Sequence, residues 1–142
     1  MRLNLSWLLA VSCAFNAHAA GRLVVENAWI RAAPPGAMML AGYATLRNAG
    51  DGSLTVIGAQ SDEFGDVSLH ESVEENGLER MRPLGEFQIA PDARVQFAPG
   101  GKHFMLMQPK HELRVGDKVK IHISTSSGAR ADAEFVVRDV AP

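Results

Sequence analysis

Hydrophobic and polar residues alternate along much of this chain in short segments. The alternation is clearest near the C-terminal end, where Val119, Ile121 and Ile123 fall on one side of an extended chain and polar residues separate them. A two-residue alternation is typical of a β-strand with one buried face and one face in water. No window of helical length keeps an apolar period of 3.6 residues. The pattern therefore predicts an all-β protein.

Nine segments rich in β-branched, aromatic and other apolar residues are predicted to be strands. They cover residues 23–31, 40–47, 53–59, 66–73, 78–82, 94–98, 103–107, 118–124 and 131–138. The segments between them carry the glycine, asparagine and aspartate residues that tight turns favour, as in Glu75-Asn76-Gly77. Many short antiparallel strands with turns at this spacing favour a β-sandwich or a small Greek-key barrel.

The N-terminal segment has the features of a signal peptide. Arg2 supplies a positive charge, residues 5–11 form a short apolar run, and Ala17-His18-Ala19 fits a small-x-small cleavage site. The apolar run is too short to cross a bilayer as a helix, which takes about 20 residues, and no later segment comes closer. We therefore predict a cleaved signal peptide at residues 1–19 and one exported domain at residues 20–142, without a membrane span.

The only cysteine of the chain, Cys13, lies inside the predicted signal peptide. A lipoprotein signal with an acylated Cys13 is the alternative, but Ala10 stands where such signals usually carry leucine. Cleavage after Ala19 would leave a protein without a thiol. Disulfides, thiolate metal sites and cysteine catalysis would then be excluded.

The charges of the predicted mature chain are mixed along the sequence. Residues 20–142 carry 13 lysines and arginines against 16 acidic residues, because Arg2 is the only charged residue of the predicted signal peptide. Nucleic-acid binding requires a clustered basic face, so we do not expect a nucleic-acid partner. An enzyme is not expected either, since the sequence has no G-x-S-x-G elbow and no mature cysteine nucleophile.

Histidine and methionine are the residues of the mature chain whose arrangement suggests chemistry. His103 and Met105 are two apart in a predicted strand, so both side chains leave the same face. His70 lies in an earlier predicted strand, and Met81 lies beyond the Glu75-Asn76-Gly77 turn on the returning arm of a hairpin. Antiparallel pairing of these strands would bring the four side chains together.

These side chains favour one metal over others. Thioether sulfur is soft and uncharged and binds Cu(I) well but Zn(II), Ca(II) and Mg(II) poorly, while imidazole also suits copper. A blue-copper electron-transfer centre would need a cysteine thiolate. Two imidazoles and two thioethers therefore predict a Cu(I) site, in a protein that carries copper rather than passing electrons.

The spacing of the four residues resembles a known pattern. His70, Met81, His103 and Met105 form the sequence H-x10-M-x21-H-x-M, which is typical of the periplasmic copper chaperone family PCuAC. Further blocks resemble that family in the same order along nearly the whole mature chain. They are residues 28–32, 34–36, 41–48, 69–71, 81–83, 99–101 and 103–107.

The resemblance implies both a fold and a role. It implies a cupredoxin-like Greek-key β-sandwich or barrel that binds one Cu(I) per chain in the periplasm through His70, Met81, His103 and Met105. It also implies copper donor and acceptor proteins as partners, among them cytochrome oxidase subunit II with its CuA centre and thioredoxin-like assembly factors. Some members of the family carry a His- and Met-rich C-terminal extension; none follows the last predicted strand here, so the sequence does not predict a second copper site.

The other histidines and methionines of the mature chain have simpler interpretations. Met107 shares the predicted face of the site but lies outside the pattern, and we expect it to pack. Met38 and Met39 are also expected to pack, at the start of a strand, although a soft exposed contact for copper is an alternative. His111 and His122 are expected to be solvated.

Two other classes of function remain open from the residues alone. A copper oxidase would need an open coordination position, which a four-ligand site does not leave. An exported β-sandwich adhesion or assembly module would use the histidines and methionines only for packing. Copper titration distinguishes these classes from a copper carrier.

Overall fold

The computed structural model describes residues 21–142, which form ten β-strands. The strands are β1 (Leu23–Arg31), β2 (Met39–Asn48), β3 (Leu54–Gln60), β4 (Phe64–Glu75), β5 (Leu78–Pro83), β6 (Phe87–Ile89), β7 (Arg94–Phe97), β8 (Lys102–Pro109), β9 (Lys118–Thr125) and β10 (Arg130–Arg138). Within these residues there is no helix with the length and hydropathy that a membrane span requires. The predicted signal peptide, its cleavage site and Cys13 lie outside the described residues.

The ten strands join in one sheet with the order β5-β4-β8-β7-β2-β1-β10-β9-β3-β6, in which β8 also pairs directly with β2. Most neighbours are antiparallel, as the sequence predicts. Two pairs, β1–β10 and β7–β8, are parallel. Strands from opposite ends of the chain meet in the first of these pairs, and such long-range pairing leaves no local signal in the sequence.

Side chains from both halves of the sheet bury together in one core. Leu46 of β2, Phe104 of β8, Ile121 of β9 and Phe135 of β10 all belong to the same cluster of buried apolar residues. The Phe104 ring lies 5.3 Å from that of Phe135, edge to face. The sheet therefore curls around a single core, and the side chains next to Phe104 along β8 project from the opposite face.

The hairpin of β4 and β5 agrees with the prediction from its turn residues. Asn76 and Gly77 both have positive φ angles, 53° and 76°, as a two-residue hairpin turn of type I′ requires. The strand β5 has β4 as its neighbour at one end of the sheet, and each of its residues is exposed.

One buried polar residue fastens several loops near the C-terminal end of β2. The Asn48 side chain is fully buried and donates to the carbonyl oxygens of Gly52 (2.7 Å) and Ile89 (2.9 Å). Its oxygen accepts hydrogen bonds from the backbone N–H groups of Arg22 (3.1 Å) and Gly50 (3.0 Å). Four separate backbone groups thus depend on one amide.

Candidate metal centre

The register between β4 and β8 sets the two predicted histidine ligands side by side. His70 lies directly opposite His103, and the two rings are nearly stacked, with centroids 6.0 Å apart and planes inclined by 25°. Phe104, the next residue of β8, points into the core and is fully buried. The two imidazoles therefore lie on the face of the sheet opposite to the core. We call this face the site face.

Both predicted methionine ligands belong to the same face. Met105 follows His103 by two residues and lies opposite Ser68, which precedes His70 by two. Met81 lies opposite Ser72, two residues beyond His70. Side chains two apart in a strand share a face and are separated by roughly 7 Å, a gap that a methionine side chain can span. The structure thus brings all four residues to neighbouring positions on β5, β4 and β8.

A backbone carbonyl at the end of a turn orients the ring of His103. Nδ1–H of His103 donates to the carbonyl oxygen of Gly101 at 3.2 Å, and the same oxygen accepts the backbone N–H of Ser72 at 3.1 Å. Because a carbonyl can only accept, the proton of the neutral ring is on Nδ1 and the lone pair is on Nε2. That Nε2 is buried and has no hydrogen-bond partner among the described residues.

His70 uses its other ring nitrogen for its hydrogen bond. Its Nε2 lies 3.1 Å from Oγ of Ser68, and its buried Nδ1 has no partner in the described part of the chain. Burial, and next the neighbouring His103 ring, hold the pKa of His70 below its ordinary value of 6.5, and the Asp66 carboxylate opposes this. A low pKa keeps the imidazole neutral near pH 7, the form that binds metal.

A cavity of about 400 Å³ opens beside these residues. Met81, His103 and Met105 line it, and His70 does not. Pro99 and Gly100, at the turn before β8, form part of its rim. Met81 is 56% exposed and His103 only 7%, so the predicted ligands run from the surface inward. An ion or a partner's side chain can reach this site from solvent.

The donor atoms present suit a soft monovalent metal. Within residues 21–142 no group of three or more histidine, cysteine, aspartate or glutamate side chains is placed to hold an ion. The donors that gather here are two neutral imidazole nitrogens and two thioether sulfurs, which prefer Cu(I) to Zn(II) or the alkaline-earth ions. Two buried nitrogens with no hydrogen-bond partner in the part of the chain that the structure describes cost free energy, and a bound metal would offset that cost.

The structure corrects the expectation that the methionines at the start of β2 are packed. Met38 and Met39 are 63% and 50% exposed, so the prediction that they pack at the strand start is wrong. Met107 is half-buried on the site face and does not belong to the core cluster. The sequence does not predict the exposure of Met38 and Met39, because exposure at the start of β2 depends on which strands lie beside it.

The remaining histidines lie away from the site. His111 is exposed and lies 3.4 Å from a carboxylate oxygen of Glu63, in agreement with a solvated residue. His122 is less exposed than expected, because its Nδ1 lies 2.5 Å from a carboxylate oxygen of Asp132 on the next strand. Each of these two histidines thus has an acidic partner of its own.

The chain is similar in sequence to a described protein family. A family model described as "LpqE-like: Putative lipoprotein LpqE-like" matches residues 23–137. Among curated proteins, the chain is 35% identical over 116 residues to the "Putative lipoprotein Lxx21020" of Leifsonia xyli subsp. xyli. That alignment covers 81% of this chain and 69% of the relative.

Two solved structures are similar over most of the chain. The copper-bound PCuAC domain from PmoF2 superposes with a TM-score of 0.68 at 24% identity, covering 88% of this chain and 99% of that one. The solution structure of Cu(I)-DR1885 from Deinococcus radiodurans gives 0.66 at 26% identity, covering 87% and 82%. The all-β, cupredoxin-like fold expected from the sequence is confirmed.

Proposed function

Because this chain belongs to the LpqE-like family, which includes the PCuAC copper chaperones, we propose that it is an exported carrier of Cu(I) and not an enzyme. One ion would be held by His70, Met81, His103 and Met105. Of the two similar solved structures, one is copper-bound and the other carries Cu(I), and the proposal extends copper binding to this chain.

One observation carries the proposal. Among residues 21–142, Nδ1 of His70 and Nε2 of His103 are buried without hydrogen-bond partners, on strands that lie side by side. Buried polar atoms of this kind are rare in proteins and call for an explanation such as a bound ion. Two thioethers on the same face, from Met81 and Met105, select Cu(I) among the ions that imidazole binds.

The chemistry of such a site suits transfer better than catalysis. All four donors are neutral, so no charged cage must be broken when the ion leaves. Cu(I) tolerates low coordination numbers, so a ligand of a partner protein can bind the ion before a resident ligand departs. Tight holding and ready release are then compatible.

The family resemblance also suggests where the copper goes. We propose that the recipient is the CuA centre in subunit II of cytochrome c oxidase, with thioredoxin-like assembly factors and a copper donor as further partners. The location we propose is the periplasm, with residues 20–142 as the mature chain. The relative from Leifsonia is named a lipoprotein, so acylation at Cys13 is the competing form. Mass spectrometry of the exported protein distinguishes an N-terminus after Ala19 from a lipid-bearing Cys13.

Competition for copper tests the site. The exported chain, reduced and anaerobic, competes with a Cu(I) chelator of known affinity, and we expect one tightly bound Cu(I) per chain. Loss of a residue that only orients a ligand typically costs 10–100-fold in affinity, so His103→Ala or Met105→Leu should cost at least about 100-fold. His122→Ala is the matched control, because His122 is satisfied by Asp132.

Two results would contradict the proposal. If the parent protein took up no Cu(I), the chain would be an exported module in which these residues only pack. If His122→Ala weakened binding as much as His103→Ala, copper would bind nonspecifically to exposed histidines.

A further inference from the structure

We propose that Met39 and Met107 form a second, weaker Cu(I) site, an outer thioether pair that passes copper to and from the predicted four-residue site. The inference rests on the proposed function, since the ion held there is the one that the inner site carries. It assigns a role to two residues outside the H-x10-M-x21-H-x-M pattern.

Strand register places the two thioethers together. Met39 of β2 lies directly opposite Met107 of β8, and directly opposite residues on one face have Cβ atoms about 4.5–5.5 Å apart. The next pair, Leu40 and Leu106, is buried in the core. Met39 and Met107 therefore project from the site face, side by side, where two sulfur atoms can hold one soft ion.

The outer pair is continuous with the predicted site. Two residues along the same strands, Ala41 lies opposite Met105. The small alanine side chain leaves the space beside Met105 open. Met39 lines the same cavity as Met81, His103 and Met105. The pairs are roughly 7 Å apart along the strands, within the reach of flexible methionine side chains. Met105 is thus placed to take part in both sites.

Met39 of the outer pair is far more exposed than His103 of the four-residue site. Met39 exposes half of its surface, whereas packing would have buried it. On the other side of Met107 lies Asp66 of β4, whose carboxylate is exposed. Its negative charge attracts cations to this end of the face. One carboxylate and two thioethers thus lie in a row across β4, β8 and β2, next to the row that contains Met105.

Methyl signals of the methionines give a direct readout. The exported chain, labelled with ¹³C at the methionine methyl groups, is titrated with Cu(I) under anaerobic conditions. We expect the first equivalent to shift the Met81 and Met105 signals and the second to shift those of Met39 and Met107. Met38 is the internal control, since it is the most exposed of these methionines, precedes β2 and has no place in the register. Its signal should stay unchanged through both equivalents.

A double variant tests the assignment by removing sulfur while keeping volume. The double substitution Met39→Leu and Met107→Leu should abolish the second equivalent and leave the first intact, because leucine for methionine disturbs packing little. Met38→Leu should change neither.

The outcomes separate this inference from the proposed function. Shifts at Met81 and Met105 without any at Met39 and Met107 would overturn the outer pair and leave the carrier intact. No shift at any methionine would overturn both. A shift at Met38 equal to that at Met39 would show nonspecific binding to exposed thioethers and would overturn the outer pair.

Discussion

The buried amide of Asn48 offers a quantitative test of the fold, independent of copper. Asn48→Ala removes hydrogen bonds to four backbone groups, of which the carbonyl of Ile89 is enclosed and the other three lie nearer the surface. A buried group left without a partner costs about 1–3 kcal/mol, and groups that water can reach cost less. We expect a loss of about 3 kcal/mol in the free energy of unfolding, within the range that such losses produce.

Thermal and urea denaturation followed by circular dichroism measure this loss. For a domain of this size 1 kcal/mol corresponds to roughly 3–5 °C, so the Tm should fall by about 10 °C. Ser61→Ala is the matched control. Ser61 also bonds a distant carbonyl, that of Lys120 at 2.7 Å, but in an exposed position where water can replace it. If the two variants were equally stable, burial would not be what makes the Asn48 contacts matter.

Three further predictions concern titration and turn geometry. The folded state lowers the pKa of His70 below 6.5, so near that pH the unfolded chain binds more protons at His70 than the folded chain does. The free energy of unfolding of the metal-free protein should therefore fall as pH drops through 6.5, and it should level off below the folded pKa. His70→Gln should remove this dependence, as measured by urea unfolding at a series of pH values. The hydrogen bond from His122 lowers the pKa of Asp132 below 3.8, so the stabilisation by this carboxylate is present above that pH and is lost as pH falls. Asp132→Asn should reduce the loss of stability at acid pH in the same unfolding measurements. An unchanged loss at acid pH would refute this. Gly100 has a φ of +82° with open space around its Cβ position, so Gly100→Ala should cost about 1 kcal/mol from backbone strain alone, whereas Gly58→Ala, with open space and ordinary φ, should cost nothing in the same denaturation assay.

Local patterns predict nine of the ten strands of residues 21–142, because each of the nine carries its own signal. The alternation of Val119, Ile121 and Ile123 identifies both β9 and its buried face, and those three residues are fully buried. Asn76-Gly77 identifies the β4–β5 hairpin. The three-residue strand β6 was missed, since it is too short to show a period. The parallel pairing of β1 with β10 was missed because it joins distant segments.

Some features of the candidate site could likewise be predicted from local spacing, and others could not. The i, i+2 spacing of His103 and Met105 was enough to place both on one face. The direct opposition of His70 and His103 depends on the β4–β8 register, which the sequence does not reveal. The pairing of Met39 with Met107 depends likewise on β2 lying beside β8. The residues of a site can thus be identified from spacing, while their mutual positions come from long-range pairing.

The edge position of β5 gives the four predicted ligands unequal anchoring. Among the strands of residues 21–142, those of His70, His103 and Met105 have a neighbour on each side, whereas the strand of Met81 has a neighbour on one side only. Local opening of the β4–β5 hairpin would remove one ligand and keep three, and such opening at a sheet edge takes less free energy than unfolding of the core. The metal would then have four ligands when this hairpin is closed and three when it is open. Amide hydrogen exchange should be faster in residues 78–83 than in the paired residues of β8, and it should slow in residues 78–83 when copper binds.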